Sequence, residues 1–406
     1  MRGFAERADV EEVCRFLEAH SPPLEAEPVA VTECAGRVLA EEVTAEVDVP
    51  GFARAAMDGY AVRGEETFGA SAYAPLALEL IGTALPGAPF AGELGPRQAV
   101  RIMTGAPVPA GADAVLMAEH ARERGSHVEV LEPVVPQKNV GRVGEDIRRG
   151  QRVLGPPRTL RPQDAAALAS IGRCRILCVR RPRVRLVITG DELLPVGSRP
   201  EGPKIVDSNS VLLRALVCRD GGELLPFEIL PDRAEEIRGA LRLADADVVL
   251  VSGGSSVGQE DHAPRLVAEL GTLDFHGVSM RPSSPAGCGR IGRQLVFLLP
   301  GNPVSCLCAY DFFAGPVIRA LGARSRRWPY RRVRVPLGRK IASAVGRTDY
   351  VRVAIADGKA LPIATSGASI LSSTVRASGV VIVPRELEGM PEGASVEVLL
   401  YDAGEP

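Results

Sequence analysis

The chain has 406 residues, 46% hydrophobic and 24% charged, with a formal net charge of −2. Such a length is too great for one ordinary core and predicts two to four domains of globular character. The near-neutral balance excludes the basic footprint of a nucleic-acid-binding protein and gives no attraction to an anionic membrane surface.

In chain order, residues ~8 to 20 read as a helix with Val10, Val13, Phe16 and Leu17 on one face. From ~46 to 138 short apolar runs are broken by Pro and Gly, as in Ala88-Pro89-Phe90-Ala91-Gly92 and Gly105-Ala106-Pro107-Val108-Pro109, which predicts a small β-rich insert. Between ~139 and 178 lie the turn Gly144-Glu145-Asp146, the strand-like Val153-Leu154 and a helix opened by Pro162-Gln163-Asp164, where the missing N–H of proline costs little. Residues ~181 to 322 alternate strand and helix. The strands are Arg183 to Ile188, Phe227 to Leu230, Asp247 to Val251, Phe275 to Val278 and Leu295 to Leu299. Helices follow at ~209 to 219, ~232 to 244, ~262 to 270 and ~303 to 321, the first with N-cap side chains from Asp207-Ser208-Asn209. Alternation of this kind predicts right-handed crossovers and an open, mostly parallel sheet. After Trp328-Pro329 the runs Arg332 to Pro336, Tyr350 to Ala354, Val380 to Val383 and Ser395 to Leu400 predict a small all-β domain.

Several chemistries are disfavoured. The eight cysteines (14, 34, 174, 178, 218, 288, 306, 308) show no C-x-x-C pair, which argues against a zinc site or a disulfide framework. Five His without an H-E-x-x-H pattern argue against a His-centred metal site. No apolar run of about 18 or more residues occurs, and Met1 to Arg7 lacks a signal-peptide core, so a cytoplasmic location without membrane or nucleic-acid partners is expected.

What the chain does carry is a set of polar strand ends. Ala246 to Val251 runs into Ser252-Gly253-Gly254-Ser255-Ser256 and on to Glu260-Asp261. A loop without bulky side chains lets backbone N–H groups wrap a phosphate while nearby carboxylates hold a cation. Alone it is as readily a tight βα turn. Leu295 to Leu299, however, ends in Pro300-Gly301-Asn302-Pro303, and Val184 to Ile188 ends in Thr189-Gly190-Asp191-Glu192. In open α/β sheets ligands bind outside the carboxyl ends of strands. Two further stretches place Asp58 in an Asp-Gly turn and Thr104 beside Gly105; each by itself reads more readily as a hairpin turn than as a site.

Together these motifs resemble the molybdopterin molybdenumtransferase family, MoeA in bacteria and the E domain of gephyrin. The resemblance runs from about residue 8 to about residue 400, through Ala56-Met57-Asp58-Gly59-Tyr60-Ala61, Met103-Thr104-Gly105-Ala106, Gly144-Glu145-Asp146-Ile147, Thr189-Gly190-Asp191-Glu192-Leu193, Ser252-Gly253-Gly254-Ser255-Ser256-Val257-Gly258, Leu299-Pro300-Gly301-Asn302-Pro303-Val304-Ser305 and the tail Gly346 to Val353. It implies four domains: a discontinuous linker and dimerisation domain (8–45 and 139–178), a β-rich insert (46–138), a MogA/MoaB-like α/β domain (179–326) and a C-terminal β-barrel (327–406). It further implies a homodimer that converts adenylyl-molybdopterin and molybdate, with Mg²⁺, to molybdenum cofactor and AMP. Transient contact with a molybdopterin adenylyltransferase and with cofactor acceptors follows from that role.

On the same resemblance Asp58, Asp146, Glu192 and Asp261 are the catalytic acids, with Asp261 the leading metal ligand and Glu192 and Asp58 next. Asp146 organises the site from further out. Thr104, Ser208, Asn209, Gly253, Gly254, Ser255, Ser256, Pro300, Gly301 and Asn302 contact the substrate, although helix capping explains Ser208 and Asn209 equally well. Arg281, Ser305 and Arg352 take molybdate, and Asp58 and Thr104 reach in from the partner chain. The Gly367-Ala368-Ser369 stretch holds the family's ligand-binding serine without fixing its register.

One departure stands out. The family's Lys-Pro-Gly-Lys-Pro reads Arg281-Pro282-Ser283-Ser284-Pro285 here. Loss of an ammonium at a buried oxyanion contact costs on the order of 2 kcal/mol or more, and loss of the glycine predicts a changed backbone path. Ser284 favours an alternative, a pterin- or nucleotide-binding scaffold without turnover; the retained acids oppose it. A second alternative, the adenylyltransferase step, is opposed by the four-domain length.

Overall fold

The computed structural model describes residues 7–253, 262–364 and 367–401. Its backbone forms two compact units. One comprises residues up to Pro28, Gly36–Leu39 and the chain from Leu177 on; the other comprises Val29–Ala35 and Ala40–Ile176.

The second unit is built on a six-stranded sheet in the order Ala114–Met117, Gly59–Val62, Gln98–Ile102, Leu76–Ala84, His127–Val130, Ala121–Arg124. Leu76–Ala84 runs parallel to Gln98–Ile102 and the other pairings are antiparallel. Period-two alternation sends Tyr60, Val62, Ala99 and Leu116 to one core and Ala61, Val100 and Val115 to another. Gly59 is required by this packing, because a Cβ there would meet the Leu116 carbonyl oxygen at 1.9 Å.

The larger unit contains a seven-stranded sheet. Its centre is parallel: Val248–Ser252 lies between Arg183–Thr189 and Gln294–Leu299. Alternate side chains face opposite layers. Val184, Leu186, Leu250 and Phe297 pack with Leu213, Val217, Val317 and Ile318, whereas Val187, Val249, Val251 and Val296 pack with Ile237, Leu241, Leu266 and Val267. The helices Asn209–Arg219, Ala234–Arg242 and His262–Leu270 fall where the apolar periodicity places them. The helical stretch Pro303–Leu321 is long and apolar enough to cross a membrane, with a mean hydropathy of 1.4, but 89% of it is buried in this core. Asp311 and Arg319 interrupt it, so the expectation of no unbroken apolar run of about 18 residues stands, and the burial accounts for the apolar composition.

The sheet is less parallel than expected. Gly287–Ile291 and Thr272–His276 add antiparallel strands at one side. The first escaped sequence reading because glycine is a poor strand former; a Cβ at Gly289 would meet the Thr272 carbonyl oxygen at 2.4 Å. The second ends earlier than read, at His276, because Gly277 turns the chain at φ +92°.

C-terminal to these elements, Thr348–Ala356, Gly379–Val383, Ser395–Leu400 and Arg331–Pro336 form a six-stranded sheet with Lys359–Ala364 and Met280–Arg281. Lys359–Ala364 has Thr348–Ala356 as its one strand partner and on its other side makes a single bridge, Ala360 to Leu337. An edge position of this kind tolerates the proline that hid the strand from sequence reading. Tyr350 faces the α/β core, and Val351 and Val353 face the core of the C-terminal sheet. Met280–Arg281 pairs in parallel with Thr348–Asp349, setting Arg281 opposite Asp349.

Candidate functional site

Because Arg183–Thr189, Val248–Ser252 and Gln294–Leu299 are parallel neighbours, their polar carboxyl ends open on one edge. A cleft of about 440 Å³ lies there, and Glu192, Ser208, Asn209, Gly253, Gly301 and Asn302 all line it. Gly253 sits at φ +103°, and a Cβ would meet the Thr189 carbonyl oxygen at 2.2 Å, so the close approach of these two strand ends requires glycine. Gly254, Ser255, Ser256 and Asp261 lie outside the described residues.

The side chains of Asp207, Ser208 and Asn209 divide their work. Asp207 Oδ1 accepts the Ser210 backbone N–H at 3.1 Å, whereas Ser208, the residue at the helix start, makes no capping bond. Capping therefore explains Asp207 and does not explain Ser208. Asn209 is buried and donates Nδ2 to Ser252 Oγ at 2.9 Å and to the Gly301 carbonyl at 2.7 Å, tying two strand ends together. Asn209 Oδ1 and Thr189 Oγ1 are buried with no hydrogen-bond partner among the described residues. Such atoms call for a ligand or water.

A second cavity, of about 270 Å³, shares Asn302 with the cleft and is lined by Arg281, Ser284, Pro300, Ser305 and Arg352. All three expected oxyanion ligands thus reach one cavity, with Ser284 in its wall. Arg352 is only 1% exposed, which removes the reading of it as a solvated surface cation, and burial pulls its guanidinium below the usual range. Ser283 takes φ +83°, a backbone that glycine favours, and its Oγ donates to the Ser305 carbonyl at 2.5 Å. A residue with a side chain thus occupies a positive-φ turn in this loop. Ser369, left ambiguous by sequence, lines the cleft and donates to Asn302 Oδ1 at 2.8 Å.

In the other unit the turns of Asp58 and Thr104 meet. Asp58 Oδ1 accepts the Thr104 backbone N–H and hydroxyl, both at 2.7 Å, and these bonds hold its carboxyl below the usual range. Thr104 lines a cleft of about 500 Å³ with Arg54, Asn139 and Glu145. Glu145 Oε1 accepts Arg54 Nη2 at 2.8 Å. Asp146 is exposed and does not line this cleft; its backbone N–H donates to the Val49 carbonyl. The Gly-Glu-Asp turn therefore presents Glu145, a residue sequence reading passed over.

A buried network surrounds Asp311 in the larger unit. Asp311, 1% exposed, accepts the hydroxyls of Tyr330 (2.9 Å) and Tyr350 (3.1 Å) and pairs with Arg219 at 3.4 Å. Burial pushes its carboxyl up to about 6.

Comparison with known proteins adds to this geometry. Residues 8–172 match the MoeA N-terminal region (domains I and II), residues 185–320 a domain described as "probable molybdopterin binding domain", and residues 334–401 the MoeA C-terminal region (domain IV). The chain is 33% identical over 402 residues to the molybdopterin molybdenumtransferase of Bacillus subtilis, covering 96% of this chain and 92% of that one. It is 34% identical over 345 residues to that of Haemophilus influenzae, covering 83% of each. The chain belongs to the MoeA family of molybdopterin molybdenumtransferases. A MoeA protein of molybdopterin biosynthesis from Pyrococcus horikoshii superposes with a TM-score of 0.81 at 30% identity, covering 98% of this chain and all of that one.

MoeA family membership raises the question of a metal. Among the described residues no three His, Cys, Asp or Glu side chains gather at metal-ligand spacing. Mg²⁺ needs only one or two protein carboxylates when phosphate oxygens and water complete its shell. Glu192, exposed at the mouth of the cleft, fits that requirement, whereas Asp207 is committed to Ser210. Thr189 and Ser252 line the cleft and Asp349 pairs with Arg281, although none of the three was singled out as a candidate site residue from sequence. For the first two the signal was available: each is the last polar residue before a strand-ending glycine.

Proposed function

We propose that this protein is the molybdenum insertase of molybdenum cofactor biosynthesis, converting adenylyl-molybdopterin and molybdate to molybdenum cofactor and AMP. The observation that carries the reading is the pair of cavities sharing Asn302, one rimmed by strand-end backbone and Glu192, the other by Arg281, Arg352 and Ser305. A phosphoanhydride and a tetrahedral dianion need different surroundings, namely N–H donors with a cation for the first and guanidinium with hydroxyl donors for the second.

In this reading Gly253 to Ser256 orient the phosphates, and Asn209 and Ser208 line the pterin side. Glu192 and Asp261 would hold Mg²⁺, which when bound neutralises the anhydride oxygens. A second subunit supplies Asp58 and Thr104, with Asp146 behind them, in a cytoplasmic homodimer of four-domain chains. The chain's partners are the adenylyltransferase that delivers its substrate and the acceptors of its product.

The test follows AMP release from adenylyl-molybdopterin with and without molybdate, and with EDTA. Release that rises with molybdate, stops with EDTA and falls in Asp261→Asn is expected. Equal release from wild type and Asp261→Asn sinks the acid's role. Nucleotide binding without turnover favours the scaffold, the reading that neutral Ser284 in the cavity wall supports.

A further inference from the structure

Arg281 is not free to move. Its Nη2 donates to Asp349 Oδ2, which also accepts Ser343 Oγ at 2.8 Å, while Asp349 Oδ1 lies 3.0 Å from Arg347 Nε. Asp349 is 1% exposed and stands directly across the parallel pairing from Arg281. The carboxylate uses one nitrogen of a five-donor guanidinium, and Arg281 Nε remains buried with no hydrogen-bond partner among the described residues, on a side chain that lines the oxyanion cavity.

The charges decide what this arrangement is for. Arg281 and Arg352 line the cavity and Asp349 does not, so the surface offered to a dianion carries guanidinium groups. Without the carboxylate, partly buried guanidinia would face one another uncompensated before an anion arrived, and long side chains in that situation swing toward solvent. A fixed fork loses less freedom when it forms its remaining bonds.

We propose that Asp349 is a positioning residue that presets the Arg281 guanidinium for a tetrahedral oxyanion, an inference that rests on reading this cavity as the molybdate site. Two effects oppose each other when Asp349 is neutralised: the cavity gains positive charge, which tightens an anion, and Arg281 loses its anchor, which weakens it. Positioning wins if the proposal holds.

Titration calorimetry of the full chain with molybdate tests the sign. Wild type binds; Asp349→Asn binds on the order of tenfold more weakly; and Asp349→Glu recovers most of the loss, which a general destabilisation would not produce. Ser343→Ala, which removes one bond to Asp349 Oδ2 without altering buried charge, is expected to weaken molybdate binding in the same direction by about threefold. Asp349→Asn that binds molybdate equally or more tightly overturns the positioning role while leaving the cavity reading intact. Should Asp349→Asn fail to fold, unchanged binding by Ser343→Ala overturns it. Wild type that binds no molybdate overturns both.

Discussion

Asp58 Oδ1 receives the backbone N–H and the hydroxyl of Thr104, each at 2.7 Å, and so locks together two turns 46 residues apart. The backbone bond lets the acid keep its position without the hydroxyl, but not its full electrostatic setting. Thr104→Ala is expected to move the Asp58 carboxyl up toward its usual range, readable by NMR titration, and to lower AMP release about tenfold. Thermal stability should barely change, since the pair is exposed.

Gly253 should accept no side chain. At φ +103°, with the Thr189 carbonyl oxygen 2.2 Å from an added Cβ, Gly253→Ala forces the strand end apart. A loss of about 1–3 kcal/mol in urea unfolding is expected, together with a raised KM for the nucleotide. An unchanged midpoint and KM would show that the loop yields without consequence.

Asn209 joins two strand ends through Ser252 and Gly301. Asn209→Ala removes both bonds and leaves the Gly301 carbonyl short of a buried donor, at a cost of about 2 kcal/mol. Denaturant unfolding measures that cost. Ser208→Ala makes the contrast: it removes no capping bond and should alter substrate affinity with little loss of stability.

The Asp311 carboxyl gives a pH signature. Folded, it holds its proton to about pH 6 against an ordinary value of 3.8, because burial outweighs the attraction of Arg219 and the hydroxyls of Tyr330 and Tyr350. The native state therefore binds more protons between those values, so this contribution to stability is full below about pH 4 and is lost as pH rises through about 6. Asp311→Asn cannot titrate. Its unfolding free energy, subtracted from that of wild type across pH 4 to 7, should reveal the slope; parallel curves would refute the assignment.

Much of the parallel core was legible because its cause is local. Val184, Leu186, Val248 and Leu250 alternate with Val187, Val249 and Val251 in apolar runs, and helical periodicity between them is strong enough to place Asn209–Arg219 and His262–Leu270. Gly287–Ile291 and Lys359–Ala364 were hidden for an equally physical reason: their glycines and proline contradict strand propensity and are tolerated only through the close approach of one partner and the edge position of the other.

By itself the amino-acid sequence determined the order of elements, the family and the polar character of each strand end, since motifs and periodicity are written in neighbouring residues. Only the tertiary structure decided that Asp207 and not Ser208 caps its helix, that Glu145 and not Asp146 lines the cleft beside Thr104, and that Arg281 is anchored by Asp349. Each of those is a matter of direction and distance between residues far apart in the chain, set by strand register and backbone turn, and no local pattern encodes it.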